Sequence, residues 1–402
     1  MRGRRALESI AHRARVFRRR HGPGAHLYSL RYRSAGMRAS GGFHGRRIQK
    51  TGGSTFIVSL PKSWVVGRGL GSGDVLYFRP AADGSLSVYP EEGGVVEGVR
   101  RVVPVSNEME SEHLVRRLIA EYIAGASLLE IRTPGRMSAR TRDVIRGFTQ
   151  RMIGPEILEE TAESVVLQDV VGANPLPLPS VIRRMHQMVR AMQSDAMAAF
   201  RAGDPSIARD VIERDWEVDR LHWFLEKQVM SALRDVRLLL SLELTLPECS
   251  MYLLVSRVLE RIADHAVRIA ETVTILEKER TPPEIVTELE RMSQQAAQAL
   301  TDALDSLDRR DVEKANSVLD SAERLQKDRS AVLRKVTTKS GRLAVGLAYV
   351  LESLERSAFY AGDLAEIAIN HAVEAPKAPE RALARSAPAP AAALRPKGPV
   401  SG

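Results

Sequence analysis

The second half of the chain contains a sequence repeat, in which each copy has the pattern of three amphipathic helices. Residues 180–275 align with residues 287–370, at an offset of 107 in their first halves and of 95 in their third helices. Apolar residues recur at helical spacing in both copies, which predicts helices that each bury one face. The repeat therefore predicts an all-α region of tandem three-helix bundles, with the extra 12 residues of the first copy in a loop around Ser241–Glu248.

The first copy carries two pairs of carboxylates at helical spacing. Asp215 and Asp219 stand four residues apart, and so do Glu260 and Asp264. Residues four apart share one helix face, and two such pairs on neighbouring helices offer the oxygen ligands that hard or borderline metal ions prefer. The aligned positions of the second copy are Ala322, Gln326, Glu355 and Phe359. The carboxylate spacing therefore offers ligands for a metal ion in the first copy and not in the second.

A second interpretation of these carboxylates stays open on the residues alone. Acid pairs on helices are usually solvated, and paired acids repel by a few tenths of a kcal/mol. A counter-charge would come either from a metal ion or from Arg257, Arg261 and Arg268 of the same segment. His265 adjoins Asp264 but projects about 100° away around the helix, so we expect it to be an ordinary polar residue.

The net charge of +9 is concentrated at the N-terminus. Residues 1–40 hold 11 Arg and one acid, Glu8, whereas the other 362 residues hold 48 basic and 49 acidic residues. An Arg-rich tail suits phosphate backbones or an anionic membrane face. Alternatively, translation starts at Met37 and the tail is not native. The tail lacks the continuous apolar region of a secretory signal.

Cysteine content and hydropathy restrict the class of protein further. Cys249 is the only cysteine, which excludes an intramolecular disulfide and a Cys-based zinc site. No stretch approaches the ~18 consecutive apolar residues of a membrane span. Leu238–Leu246 comes nearest, and Glu243 interrupts it. The chain is predicted to be cytoplasmic and not an integral membrane protein.

Composition and turn residues divide the chain into regions. The short strands of the second region, with a hairpin turn at Asp83-Gly84, bury little core alone, so an oligomer is expected. The predicted regions are an Arg-rich tail (1–42), a strand-and-turn domain (43–92), a small α/β connector domain (98–171), two three-helix units (180–278 and 284–373) and a disordered Ala/Pro tail (375–402).

The helical half resembles the PhoU family, named for its role in regulating phosphate uptake. The resemblance covers nearly all of residues 180–372 and is strongest in Asp215-Trp-Glu-Val-Asp219, Arg234-Asp-Val-Arg237 and Leu259-Glu-Arg-Ile-Ala-Asp264. Family members carry two three-helix bundles whose acid-x-x-x-Asp pairs hold metal clusters. The resemblance implies a divalent or trivalent ion (iron, zinc, manganese or magnesium) in the first unit, with ligands Asp215, Asp219, Glu260 and Asp264.

Residues 46–92 resemble the AbrB/SpoVT (MazE-like) DNA-binding fold. The matching string is Arg46-Arg47-Ile-Gln-Lys50-Thr-Gly-Gly-Ser-Thr-Phe-Ile-Val-Ser-Leu-Pro61-Lys62, followed by Gly-Leu-Gly-Ser-Gly-Asp74. Such domains are intertwined dimers, so the resemblance implies a swapped-hairpin β-barrel and a homodimer. It also implies DNA contacts by Arg46, Arg47, Lys50, Lys62 and Arg68, although the same residues also suit a merely soluble surface. The pairing with PhoU-like units resembles an archaeal arrangement.

The motifs favour regulation over catalysis. The glycines at 67–73 are followed by no Walker Lys-Ser/Thr, so they predict a structural turn. The sequence shows no nucleophile–base pair, kinase signature or zinc-hydrolase helix, so we expect no enzyme, and a metal-dependent enzyme at the carboxylates ranks last. The predicted function is a dimeric DNA-binding transcriptional regulator of phosphate uptake and homeostasis. The alternative is an adaptor that does not bind DNA and negatively regulates a phosphate transporter or its signalling kinase.

Overall fold

The computed structural model describes residues 45–52, 55–80, 84–90, 99–171, 176–276, 279–339 and 341–374. The predictions for the two tails, 1–42 and 375–402, lie outside these residues. The chain divides into two compact units, residues 1–173 and 174–402. The division falls within residues 172–179, which include three prolines.

Residues 45–90 contain two separate antiparallel hairpins and one short helix. Strand β1 (Gln49–Thr51) pairs with β2 (Thr55–Ile57), β3 (Tyr77–Pro80) pairs with β4 (Leu86–Tyr89), and helix α1 (Lys62–Gly67) comes between the hairpins in sequence. The predicted swapped-hairpin barrel is not seen here, since these described strands form two-stranded sheets. The physical reason is that the described residues of this segment bury no apolar side chain against which a barrel would close.

Residues 99–171 form a four-stranded sheet with two helices, as the connector prediction required. The strand order is β5-β6-β8-β7, and only β5 and β6 are parallel among the described pairs of this sheet. The elements are β5 (Arg100–Pro104), α2 (Ser111–Ile123), β6 (Leu128–Arg132), α3 (Ala139–Arg151), β7 (Pro155–Glu160) and β8 (Ser164–Asp169). Helix α3 begins where Ser138 accepts a hydrogen bond from the backbone N–H of Thr141 and so caps the helix.

Strand β6 shows how alternation separates the two faces of this sheet. Leu129 and Ile131 are buried in the core of this unit. Glu130 points to the other face, where Arg100 donates to it at 2.9 Å and Arg132 also donates to it. The two guanidiniums, Arg100 first, hold the pKa of Glu130 below its ordinary value.

Residues 176–374 form the two predicted three-helix bundles, which confirms the repeat. The first bundle adds one short helix, α6, beside the loop predicted to hold the extra residues. The helices are α4 (Leu178–Ala202), α5 (Pro205–Ala232), α6 (Val236–Ser241) and α7 (Leu246–Leu276), then α8 (Pro283–Arg309), α9 (Val312–Val336) and α10 (Gly341–Glu374). Among the described residues, no helix is both long enough and apolar enough to cross a membrane.

The repeat extends to the helix caps. Asp204 caps α5 by accepting from the N–H of Ser206, and Asp311, 107 residues later, caps α9 by accepting from the N–H of Lys314. Gly203 ends α4 in the left-handed conformation, and the equivalent Arg310 ends α8 in the same conformation. The connection between the first and second helices therefore has the same local conformation in both bundles.

Helices α7 and α10 pack against each other and join the bundles. Gly346 lies at this contact, because a Cβ at its position would come within 2.7 Å of Leu276 Cδ2 and 3.1 Å of Thr272 Cγ2. At the far end, Arg310 Nη2 lies 3.7 Å from Glu248 Oε1. The bundles are thus held together through their third helices and the segment that follows the inserted loop.

Candidate functional site

The four predicted carboxylates lie on two neighbouring helices of the first bundle. Asp215 and Asp219 are on α5, Glu260 and Asp264 are on α7, and these helices pack together. Asp215 and Glu260 are 2% and 4% exposed, whereas the other two are half-buried. One acid of each pair therefore occupies a core position, which is costly for a charged group without compensation.

A buried hydrogen bond sets the register of these helices. His222 Nδ1 lies 3.0 Å from Ser256 Oγ. Because α5 and α7 run antiparallel, this pairing puts the two carboxylate pairs at about the same height along the bundle. Nevertheless, no group of three or more His, Cys, Asp or Glu side chains in the described part of the chain is arranged to hold a metal ion. Each of the four carboxylates has other interactions within the protein, so the metal site stays a prediction.

Two of the three arginines that were candidate counter-charges contact the second bundle. Arg268 Nη2 lies 3.2 Å from Glu352 Oε2, and its guanidinium lies 4.7 Å from the ring centroid of Tyr349. The guanidinium of Arg261 lies 5.8 Å from the ring centroid of Tyr360. Cation–π contacts of this kind stabilise by about 0.5–1 kcal/mol at exposed sites. These two arginines therefore link α7 to α10.

His265 lies beside the same contact. Its ring centroid is 5.7 Å from that of Tyr360 on α10. This position follows from the angle of about 100° between neighbouring residues on a helix, which turns His265 away from Asp264. The structure thus gives His265 a packing role between the bundles.

The second bundle fills the equivalent groove with an ion pair. Arg329 Nε on α9 lies 2.7 Å from Glu355 Oε2 on α10. At offsets of 107 and 95, these residues are the equivalents of His222 and Glu260. Burial raises the pKa of Glu355, and the charge of Arg329 opposes that rise. Ala322, which aligns with Asp215, is buried and brings no charge. The Arg329–Glu355 pair therefore balances its own charge within the protein.

Arg329 is a residue that the sequence interpretation missed. The offset of 107 that aligns Ala322 with Asp215 also aligns Arg329 with His222. A basic residue facing the one surviving acid was therefore a detectable signal of an internal counter-charge.

The five basic residues predicted to contact DNA are all exposed. They are Arg46, Arg47, Lys50, Lys62 and Arg68. Asp74 is the only acid among the described residues 45–80, and its carboxylate accepts a hydrogen bond from the N–H of Gly71 at 2.7 Å. This bond supports the structural-turn interpretation of the glycine-rich stretch. A positive surface attracts a phosphate backbone but does not by itself read sequence.

Comparison with known proteins gives a family match in the helical half. The family described as PhoU domain matches residues 182–273 and 289–368, one segment in each bundle. The phosphate-specific transport system accessory protein PhoU homolog of Zymomonas mobilis is 30% identical over 183 residues, which cover 44% of this chain and 68% of that protein. The homolog of Pseudomonas putida is 25% identical over 198 residues, covering 46% of this chain and 73% of that protein.

A solved structure also resembles this chain. The crystal structure of PhoU from Pseudomonas aeruginosa is 23% identical, with a TM-score of 0.43. The similarity covers 48% of this chain and 94% of that chain.

Proposed function

This chain belongs to the PhoU family, and from that premise we propose that it is an accessory regulator of phosphate transport. Its helical half acts as an adaptor that restrains a phosphate transporter or its signalling kinase. The observation that carries the proposal is the family match in both bundles, together with relatives named as accessory proteins of phosphate-specific transport systems. Such a role requires binding and no catalysed step.

The adaptor is preferred to a transcriptional regulator because the family match lies within residues 182–368. The strands of residues 45–90 then serve to bring two chains together. Their exposed apolar side chains, including Phe56 and Phe78 at 68% and 54%, suit that role.

Phosphate uptake by native cells tests the adaptor. Removing the protein should raise uptake in phosphate-rich medium, and supplying the full chain should restore the lower rate. A chain carrying Arg47→Ala and Lys50→Ala should restore it equally well, because an adaptor does not need these cations. If removal leaves uptake unchanged, the proposal is wrong. If only the substituted chain fails, DNA contact is part of the function.

DNA binding is the second candidate, and the exposed basic residues of the first hairpin and α1 favour it. Arg47→Ala with Lys50→Ala should then make the slope of log affinity against log salt shallower by about 2, at about 0.9 for each lost phosphate contact. Arg183→Ala with Arg184→Ala, on α4, is the matched control. An unchanged slope removes the first pair from any DNA interface. The comparison is repeated in a chain that starts at Met37, because the Arg-rich residues before it would also attract DNA through charge alone.

We also propose a cation in the first bundle, supported by the two buried carboxylates, Asp215 and Glu260. Elemental analysis of protein prepared without chelator should find stoichiometric metal. Asp219→Ala and Asp264→Ala should lower that content, and added metal should raise the melting temperature of the wild type only. Glu355→Gln in the second bundle is the control and should retain the metal. Absence of metal from the wild type, or equal metal in both variants, would rule the site out.

A further inference from the structure

One stretch of the second bundle is more basic than its counterpart in the first. From Arg324 to Arg342 the sequence holds seven Lys and Arg and one acid, Asp328. The equivalent stretch of the first bundle, residues 217–247, holds four basic and five acidic residues. Since both stretches build the end of a second helix and the turn into a third, the helical fold does not require this excess of charge.

The cations of this stretch follow the surface of one helix and one turn. Arg324, Lys327 and Arg334 share one face of α9, and all three are exposed over about 15 Å of helix. Lys335 is 48% exposed at its side chain, Lys339 is half-buried on the turn, and Arg342 is exposed at the start of α10. The basic strip is defined as Arg324, Lys327, Arg334, Lys335, Lys339 and Arg342.

Neighbouring acids offset only part of this charge. Asp328 lies 2.7 Å from Arg291 Nη1, and Glu288 pairs with Lys335. Glu279 and Glu284 are exposed at the same end of the bundle, next to Arg280. Asp320 and Glu323 are exposed four residues before Arg324 and Lys327 on α9 and offset part of their charge. The six basic residues of the strip with Arg280 and Arg291 make eight, against six acids, so this surface keeps a positive balance.

Helix electrostatics explains only half of the strip. Arg334 and Lys335 lie in the last turn of α9, where the helix dipole favours cations. Lys339 lies just before the first turn of α10, where the dipole disfavours a cation, and that turn contains no acid. A negatively charged partner accounts for cations both at the end of α9 and at Lys339.

We propose that the basic strip docks on the anionic phospholipid headgroups of a membrane. A strip that runs along a helix and a turn fits a continuous surface of like charges, and such clusters of Lys and Arg bind anionic lipid. Val345, one turn into α10 and 48% exposed, adds an apolar contact beside the charges. The inference rests on the proposed function, which gives the protein a partner in a membrane.

A fluorescent label on the turn tests this docking in the full chain. Thr338→Cys puts an environment-sensitive fluorophore on an exposed residue of the turn. The native Cys249 is fully buried and should not react. Ser180→Cys provides the control label at the other end of the bundle, about 30 Å away along α4. The ends are assigned because Arg201, at the end of α4, pairs with Glu290 near the start of α8.

Vesicles of phosphatidylglycerol mixed with phosphatidylcholine should shift the emission of the label at 338 and not that of the label at 180. Pure phosphatidylcholine vesicles should shift neither. Arg334→Gln with Lys339→Gln should raise the vesicle concentration at half-shift about 25-fold, at about fivefold per charge removed near the surface. Arg183→Gln with Arg184→Gln is the charge-matched control and should leave the half-shift unchanged.

Three outcomes would overturn the inference. An unchanged label at 338 in protein that sediments with anionic vesicles would place binding elsewhere, for example in the Arg-rich residues 1–40. A response of this label to duplex DNA and not to vesicles would make the strip a nucleic-acid surface. An unchanged half-shift in the chain with the paired Gln substitutions would remove these cations from the membrane contact. None of these outcomes changes the expected result of the phosphate-uptake experiment. A failure of the membrane-docking proposal can therefore be distinguished from a failure of the adaptor proposal.

Discussion

Arg329 and His222 occupy equivalent positions in the two bundles and make different contacts there. In the second bundle Arg329 faces Glu355 at 2.7 Å, whereas in the first bundle His222 bonds to Ser256 and leaves the carboxylates to other partners. An internal ion pair needs no external cation, because both charges are supplied by the chain. The difference between the bundles is therefore set by a few side chains within one shared fold.

Replacing Arg329 tests this internal counter-charge. Arg329→Ala leaves the Glu355 carboxylate, whose side chain is 13% exposed, without its ion partner. The free energy of unfolding should fall by about 1–3 kcal/mol, measured by chemical denaturation. Arg324→Ala, exposed on the same helix, is the control and should change it by no more than about 0.5 kcal/mol. Equal effects of the two substitutions would show that the ion pair does not stabilise the bundle.

Glu130 gives a prediction about pH. Its folded pKa lies below the ordinary value of 4.5, because Arg100 and Arg132 stabilise its charged form. A lowered carboxyl pKa contributes stability that is present above the unfolded pKa and is lost as pH falls through the folded pKa. Glu130→Gln should therefore lower the melting temperature at pH 7, and the difference from wild type should shrink below about pH 4.5. Glu156→Gln, exposed on β7, serves as the control, and a difference that does not depend on pH would contradict the prediction.

At the scale of elements, helix periodicity and caps carry most of the information. The helices of the two bundles agree closely with the predicted units 180–278 and 284–373, because apolar spacing and cap residues act within a few positions of the chain. The predicted barrel differs, since hairpins that bury nothing within one chain do not show how they pack. The sequence pattern of residues 45–90 thus predicted the strands, but not how the two hairpins pack together.

Gly346 tests the close approach of α7 and α10. A Cβ there would lie 2.7 Å from Leu276 Cδ2, so Gly346→Ala should cost about 1–3 kcal/mol of unfolding free energy through overpacking. Gly362, on the same helix, has Leu319 Cδ2 at 3.5 Å from such a Cβ, an ordinary contact. Gly362→Ala should therefore be neutral or stabilise by up to about 1 kcal/mol through helix propensity. The prediction fails if both substitutions stabilise equally in chemical denaturation.

At the scale of the whole molecule, residues 45–90 expose too much apolar surface to stand alone. Ile48, Phe56, Val66, Val75 and Phe78 are each more than half exposed. Soluble proteins rarely leave such a concentration of large apolar side chains uncovered. A second copy of the chain is the expected cover, which keeps the homodimer as a prediction.

Light scattering tests the dimer. The full chain should have the mass of two copies, and removing residues 43–92 should reduce it to one. Phe56→Asp with Phe78→Asp should have the same effect without shortening the chain, because charge on this surface opposes its burial. A shortened chain that stays dimeric at the same concentration would place the interface in another part of the protein.

The sequence by itself determined the tandem bundles, the connector, and the position of every candidate carboxylate and cation along its helix or hairpin. It did so because helical spacing, strand alternation and caps depend on neighbours in the chain. Only the tertiary structure decided which of these side chains meet. Arg268 with Glu352 and Arg329 with Glu355 are pairs between different helices, and their contacts depend on the height and rotation at which those helices pack. The charge balance in the two grooves depends on that packing. From the sequence alone, a metal ion and the arginines therefore remained alternative counter-charges for the carboxylates.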